Sequence, residues 1–101
     1  MSALRRGDVV RTDQLPGALL WLVVSADERN QAFNTVVVAR IMPFAKTATA
    51  TVVPLSDHDP VSGFVLVDYL ATEPASIFSP SGRLTAPTVD AVSRALRIAL
   101  P

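Results

Sequence analysis

The sequence predicts a mainly β fold finished by a single C-terminal α-helix, and three observations carry that expectation. Val- and Leu-rich runs of strand length recur between Gly, Pro and Asp punctuation. Only the last stretch, from Thr85 onward, changes to a helical period. Half of the residues are apolar and 18% are charged, so a chain of 101 residues has the material for one core. That length fits one domain over residues 1–101. The apolar surplus exceeds what so small a domain hides alone, which points to a homo-oligomer.

The elements follow in order. Val9, Val10 and Arg11 come after Gly7-Asp8 and before Asp13, Pro16 and Gly17, and read as a first strand ending in a tight loop. Leu19 to Ser25 is a continuous apolar run, too short for a typical helix, that belongs at the centre of the sheet. Asp27 to Asn30 reads as a polar connection. Thr35 to Met42 is a third strand in which Val36, Val38, Arg40 and Met42 share one face, with Arg40 the anomaly of that face. Thr51 to Leu55 is a fourth strand whose Pro54 marks an edge or a bulge. Phe64 to Leu70 is a further buried strand, after which Pro74, Pro80 and Gly82 punctuate an irregular or short helical connection. Thr85 is placed as an N-cap, Pro87 lies in the first turn, and Val89, Val92, Leu96 and Ala99 form a core-facing stripe.

Composition excludes several classes of function. Without cysteine there is no disulfide framework, thiolate metal site or thiol nucleophile. The glycines, at 7, 17, 63 and 82, build neither a P-loop nor a dinucleotide fingerprint. The longest apolar stretch, Ala18 to Val24, is far short of the roughly 20 residues that span a bilayer. Arg5 and Arg6 run into Gly7-Asp8 rather than an apolar segment, so no secretory signal is read and a cytoplasmic location is expected. Nine basic and nine acidic residues cancel, which argues against a broad positive field. Residues 1–46 nevertheless carry six basic and four acidic side chains, so an anion-facing surface is expected in the first half.

The sole histidine lies in Asp57-His58-Asp59-Pro60, which reads as a solvated turn with His58 held by its aspartates. Neighbouring side chains diverge and a metal site would need ligands from elsewhere, so no metal is expected. Arg11 and Arg40 are more informative, because an arginine inside a strand must reach the rim or be paired. Asp13 and Asp68 are the obvious salt-bridge partners; the functional alternative is phosphate recognition by a permanently charged, bidentate donor. Trp21, between Leu20 and Leu22, reads as core. Lys46, Thr47 and Thr49 form a polar loop, either a solvated tip or a phosphate-touching one.

Several segments, in order and across almost the whole chain, resemble the MazF/PemK family of toxin endoribonucleases, particularly its compact mycobacterial members. They are Arg6-Gly7-Asp8-Val9-Val10 with Asp13, the run from Leu22 to Asn30, and Thr35 to Arg40. Gly63 to Asp68, and Gly82-Arg83-Leu84-Thr85 leading into Val92 to Arg97, complete the set. The resemblance implies an SH3-like barrel of the CcdB/MazF/PemK type, a homodimer, and cleavage of single-stranded RNA without metal or other cofactor. It also implies control by an antitoxin (MazE-like) whose disordered tail occupies the RNA groove.

In the family an arginine before the second strand and a threonine or serine at the end of the third are the usual catalytic pair. The matching positions here are Leu19 and Met42, neither of which donates a hydrogen bond to a phosphate. Removing one preorganised donor typically costs about 10² to 10³ in rate. Arg40 stands two residues before Met42 on the same strand face, about 7 Å away, within reach of a guanidinium side chain. Arg40, Arg11 and Thr12 are therefore the catalytic candidates, and Asp13, Lys46, Thr47 and Arg29 the RNA-binding ones. Three functions stay open at this point: an RNA-cleaving toxin, a catalytically silent relative that binds or regulates, and an SH3-like interaction module.

Overall fold

The computed structural model describes residues 4–12, 18–45 and 49–100. Six strands form one antiparallel sheet: β1 (Asp8–Thr12), β2 (Leu19–Val23), β3 (Thr35–Met42), β4 (Val52–Pro54), β5 (Phe64–Pro74) and β6 (Ser79–Arg83), in the spatial order β4-β5-β3-β2-β1-β6. Two helices, α1 (Asp27–Ala32) and α2 (Ala86–Ala99), and a 3₁₀ turn at Ala75–Ile77 complete the elements among the described residues.

The strand alternation explains why so many adjacent valines are buried. Val9, Leu22, Ala39, Ile41, Val65 and Val67 point to the face covered by α2, where Val92 and Ala95 meet them. Their neighbours Val10, Val23, Val36 and Val38 point to the opposite face and form a second cluster under Leu4, Trp21 and Phe78. The continuous apolar run of β2 follows, because that strand is hydrogen-bonded on both sides and its inner end, Leu22 and Val23, is buried on both faces.

Three elements depart from the sequence expectation. The polar connection after β2 is the helix α1. Its Asp27 and Glu28 sit in the first turn, where the helix dipole favours anions, and Asn30 is fully buried. The Asn30 amide nitrogen donates to the Ser25 carbonyl at 3.0 Å, while the Ser25 hydroxyl donates to Asn30 Oδ1 at 2.5 Å and accepts from the Val37 amide at 3.0 Å. These bonds fasten α1 to the β2–β3 ladder. The connection after β5 is a 3₁₀ turn followed by β6. β6 lies at the sheet edge, paired only with β1 among the described residues, so Pro80 and Gly82 are tolerated there.

β5 is also longer than expected, and its pairing with β3 slips. Ala39 faces Leu70 but Arg40 faces Leu66, so Val67, Asp68 and Tyr69 form a bulge opposite one peptide of β3. Asp68 and Tyr69 are both turned out to solvent by it.

α2 is capped from a distance. Thr85 has the extended backbone of an N-cap residue, as expected, but its hydroxyl makes no bond to the helix amides. Asp59 serves instead: its Oδ1 accepts from the Thr85 amide at 2.8 Å and hydroxyl at 3.1 Å, and its Oδ2 from the Thr88 hydroxyl at 2.7 Å. The Ser56 amide and hydroxyl donate to Oδ2 as well, at 2.8 and 2.9 Å. His58 is exposed, and the Asp59 carboxylate expected to hold it faces the helix instead. Among the described residues no helix is long and apolar enough to cross a membrane.

Candidate functional site

Arg40 occupies the last third of β3, opposite Trp21 on β2 and Leu66 on β5. Its side chain is half-buried along the sheet, and one terminal nitrogen, Nη1, donates to the Leu20 carbonyl at 2.9 Å and the Ile41 carbonyl at 3.0 Å. The guanidinium carbon stands 5.5 Å from the centre of the Trp21 ring, a cation–π distance. The expected salt bridge to Asp68 is not made: Asp68 Oδ2 accepts the Thr51 hydroxyl at 2.5 Å instead. Backbone carbonyls therefore hold Arg40, and no described residue accepts from Nη2 or Nε. The side chain lines a cleft of about 220 Å³ together with Ala18, Leu20, Ile41, Met42, Pro43 and Ser62.

That cleft is shaped by Gly63. Its φ of +126° is one that side-chain-bearing residues rarely adopt, and a Cβ there would lie 2.3 Å from the Met42 carbonyl oxygen. The glycine lets the loop before β5 close against the end of β3, which brings Ser62 to the rim beside Met42.

Arg11 is exposed on β1, in register with Leu20 of β2 and Ser79 of β6, and does not line the Arg40 cleft. Thr12 is buried opposite Leu19. Arg29 lies on α1, where it donates to the Thr35 carbonyl at 2.8 Å and hydroxyl at 3.1 Å and stacks 5.2 Å from the Phe33 ring. It faces a separate cleft of about 510 Å³ that Arg6, Arg97, Ser25 and Ser93 also line. Asp13, Lys46 and Thr47 lie outside the described residues. Thus of the seven candidates, the structure sets Arg40 beside Met42 and places Arg11, Thr12 and Arg29 elsewhere on the sheet and on α1.

Sequence reasoning missed a second cleft of about 490 Å³ that meets the first at Met42. It is mainly apolar, with Phe44 and Tyr69 exposed on it and Asp68, Thr49 and Thr51 as its polar groups. Its signal was the pair Asp68-Tyr69 interrupting an apolar strand. Tyr69 meets Trp21 edge-on, with ring centres 5.9 Å apart.

The Asp59 network lies outside both clefts. Burial pushes this carboxyl up, but bonds from the Thr85 and Ser56 amides and from the Thr88 and Ser56 hydroxyls outweigh it and hold the group well below the usual carboxylate range. Among the described residues no group of three or more His, Asp or Glu side chains is arranged to hold a metal ion.

Comparison with known proteins places this geometry. A family model described as PemK-like, MazF-like toxin of type II toxin-antitoxin system matches residues 5–100. Endoribonuclease MazF4 of Mycobacterium tuberculosis is 34% identical over 101 residues, covering 99% of this chain and 95% of the relative. Endoribonuclease MazF1 of Mycobacterium bovis matches with the same identity and coverage. Among solved structures, an endoribonuclease in complex with its cognate antitoxin from a mycobacterial species superposes with a TM-score of 0.89 at 32% identity, covering 98% of both chains. A MazE–MazF crystal structure from Deinococcus radiodurans has a TM-score of 0.82 at 22% identity over 96% of this chain and 94% of the other, and supports the fold alone. With the match running through nearly every residue in both sequence and backbone, the chain belongs to the PemK/MazF family of toxins of type II toxin-antitoxin systems.

Proposed function

We propose that this toxin is a single domain over residues 1–101 that acts in the cytoplasm as a homodimer, cleaving single-stranded RNA without a metal ion. We further propose that it is held in check by a cognate antitoxin, MazE-like, whose tail occupies the RNA groove. The observation that carries the activity is Arg40: a guanidinium, tethered through one nitrogen, in the cleft at the end of β3 where the family's catalytic threonine position is filled by Met42.

The reaction is an in-line displacement. The ribose 2′-oxygen forms a bond to phosphorus, the bond from phosphorus to the 5′-oxygen breaks, and a 2′,3′-cyclic phosphate results. The 2′-hydroxyl gives up its proton, and the departing 5′-oxygen takes one up. Arg40 steadies the charge on the phosphoryl oxygens through Nη2 and Nε. Of the other candidates, Arg11, Arg29, Lys46 and Thr47 meet flanking phosphates rather than the one on Arg40, Asp13 orients or handles protons, and Thr12, buried opposite Leu19, takes no direct part. Exposed apolar side chains, among them Leu19, Phe33, Ile98 and Leu100, support association of two copies.

A second reading, a catalytically silent relative that binds without cleaving, rests on Leu19 and Met42 at the two family positions. Incubating the purified protein with a long single-stranded RNA in EDTA separates the readings. Fragments ending in 2′,3′-cyclic phosphate are expected; RNA that stays intact under all conditions supports the silent relative.

A further inference from the structure

We infer that the cleft between the bulge of β5 and the segment after β3 holds one unpaired nucleobase of the RNA and prefers guanine. This rests on the RNA-cleaving reading above and adds to it a recognition element.

Four observations converge. The cleft, about 490 Å³, is of the size that takes small flat ligands, and it shares Met42 with the cleft of Arg40. A phosphate on Arg40 and a base in this cleft therefore lie on either side of one residue. Tyr69 and Phe44 expose aromatic rings on it, 57% and 63% accessible. Such rings offer every base a stacking surface.

The third observation is the bulge itself. Three residues of β5 stand opposite the step from Ala39 to Arg40, and the two that turn outward, Asp68 and Tyr69, both line the cleft. Bulges re-aim side chains, and this one does so directly across the pair from the candidate catalytic arginine. Tyr69 is then braced by Trp21, which in turn underlies the Arg40 guanidinium. The stacking ring and the phosphate donor are thus connected through one indole.

The fourth is the chemistry of Asp68. An ionised carboxylate only accepts hydrogen bonds, and here one oxygen is oriented by the Thr51 hydroxyl. It selects a base edge that presents donors. Guanine offers two adjacent ones, N1–H and the exocyclic amine, which match two carboxylate oxygens. Uracil offers a single N–H between two carbonyls that a carboxylate repels, and adenine and cytosine each offer one amine beside an acceptor nitrogen.

The test uses uncleavable 2′-fluoro RNA pentamers, uridine throughout except for one central base, with binding read by fluorescence anisotropy of a 5′ label. Wild-type protein is expected to bind the central-guanine pentamer about 10-fold more tightly than the all-uridine one. Asp68→Asn should bring the four central bases within about 2-fold of one another. Tyr69→Ala should weaken all four by about 10-fold, with Tyr69→Phe restoring binding. Both side chains are exposed, and Tyr69→Ala gives up the edge-on contact with Trp21, so each variant is first shown to be folded by circular dichroism. Equal affinity for the four bases, discrimination that survives Asp68→Asn, or no binding of any pentamer overturns the inference. Cleavage of unmodified RNA is measured in parallel. Guanine-selective binding without cleavage contradicts the catalytic reading and leaves the base cleft standing, whereas cleavage with no base preference does the reverse.

Discussion

The Arg40 guanidinium lies over the indole of Trp21, with its carbon 5.5 Å from the ring centre, directly across the β2–β3 pair. Together with the bonds from Nη1 to the Leu20 and Ile41 carbonyls, this fixes the side chain before any ligand arrives. An arginine so constrained loses little further freedom on meeting a phosphate, which is what a charge-stabilising donor requires. The indole has a cost of its own: Nε1 is buried with no hydrogen-bond partner among the described residues.

Trp21→Phe keeps an aromatic platform and removes that unsatisfied donor. Its stability should therefore stay within about 1 kcal/mol of wild type, as read from the urea midpoint. Trp21→Ala removes both the platform and much of the packing against the Val10 and Val23 cluster, and should cost about 3 kcal/mol or more.

Asp59 makes stability depend on pH in a definite direction. Its folded-state pKa lies below the unfolded one, so the stabilisation is fully present above the unfolded value of about 4 and is lost as pH falls through the folded value. Urea unfolding between pH 7 and pH 3 should show stability declining on the acid side, with a shallower decline in Asp59→Asn. At pH 7, Asp59→Ala should cost about 1–2 kcal/mol, the usual effect of losing a helix cap.

Gly63→Ala should destabilise by about 1–3 kcal/mol, because a methyl group meets the Met42 carbonyl at 2.3 Å in a backbone conformation that alanine rarely adopts. If the chain relaxes, it does so at the end of β3, so RNA cleavage should fall by more than the change in stability alone explains. Thermal melting and a cleavage assay on the same preparation check both parts.

Ser25→Ala strands the buried Asn30 side chain and the part-buried Val37 amide, and should cost about 1–3 kcal/mol. Hydrogen exchange should locate the loss in α1, since the Ser25–Asn30 bonds, together with those from Arg29 to Thr35, fasten that helix to the sheet.

The contrast between α1 and α2 shows what a sequence of this kind discloses. α2 was legible because Val89, Val92, Leu96 and Ala99 repeat at helical spacing against a core. α1 has no such stripe, and its order comes from the bonds between Asn30 and Ser25. The central strands were legible through their apolar runs, while β6 was masked by Pro80 and Gly82, residues that an edge tolerates and a central strand does not. Asp59 caps its helix through Thr85, 26 residues later, a relation no local pattern encodes. At the site, Arg40 stood out as a charge in an apolar strand. Its actual partners are main-chain carbonyls that every sequence supplies, while Asp68, one of the two carboxylates the sequence offers to Arg11 and Arg40, bonds Thr51. The second cleft depends on a bulge, a property of how β3 and β5 pair rather than of either strand alone.

The most direct measurement is cleavage of a long single-stranded RNA in EDTA by wild type and by Arg40→Ala, each shown to be folded by circular dichroism at the assay temperature. If Arg40 has taken over the task of steadying the phosphoryl charge, wild type produces 2′,3′-cyclic phosphate ends and Arg40→Ala is slower by about 10² or more. Equal rates for the two folded proteins would remove Arg40 from the chemistry and with it the proposed replacement of the family's catalytic pair.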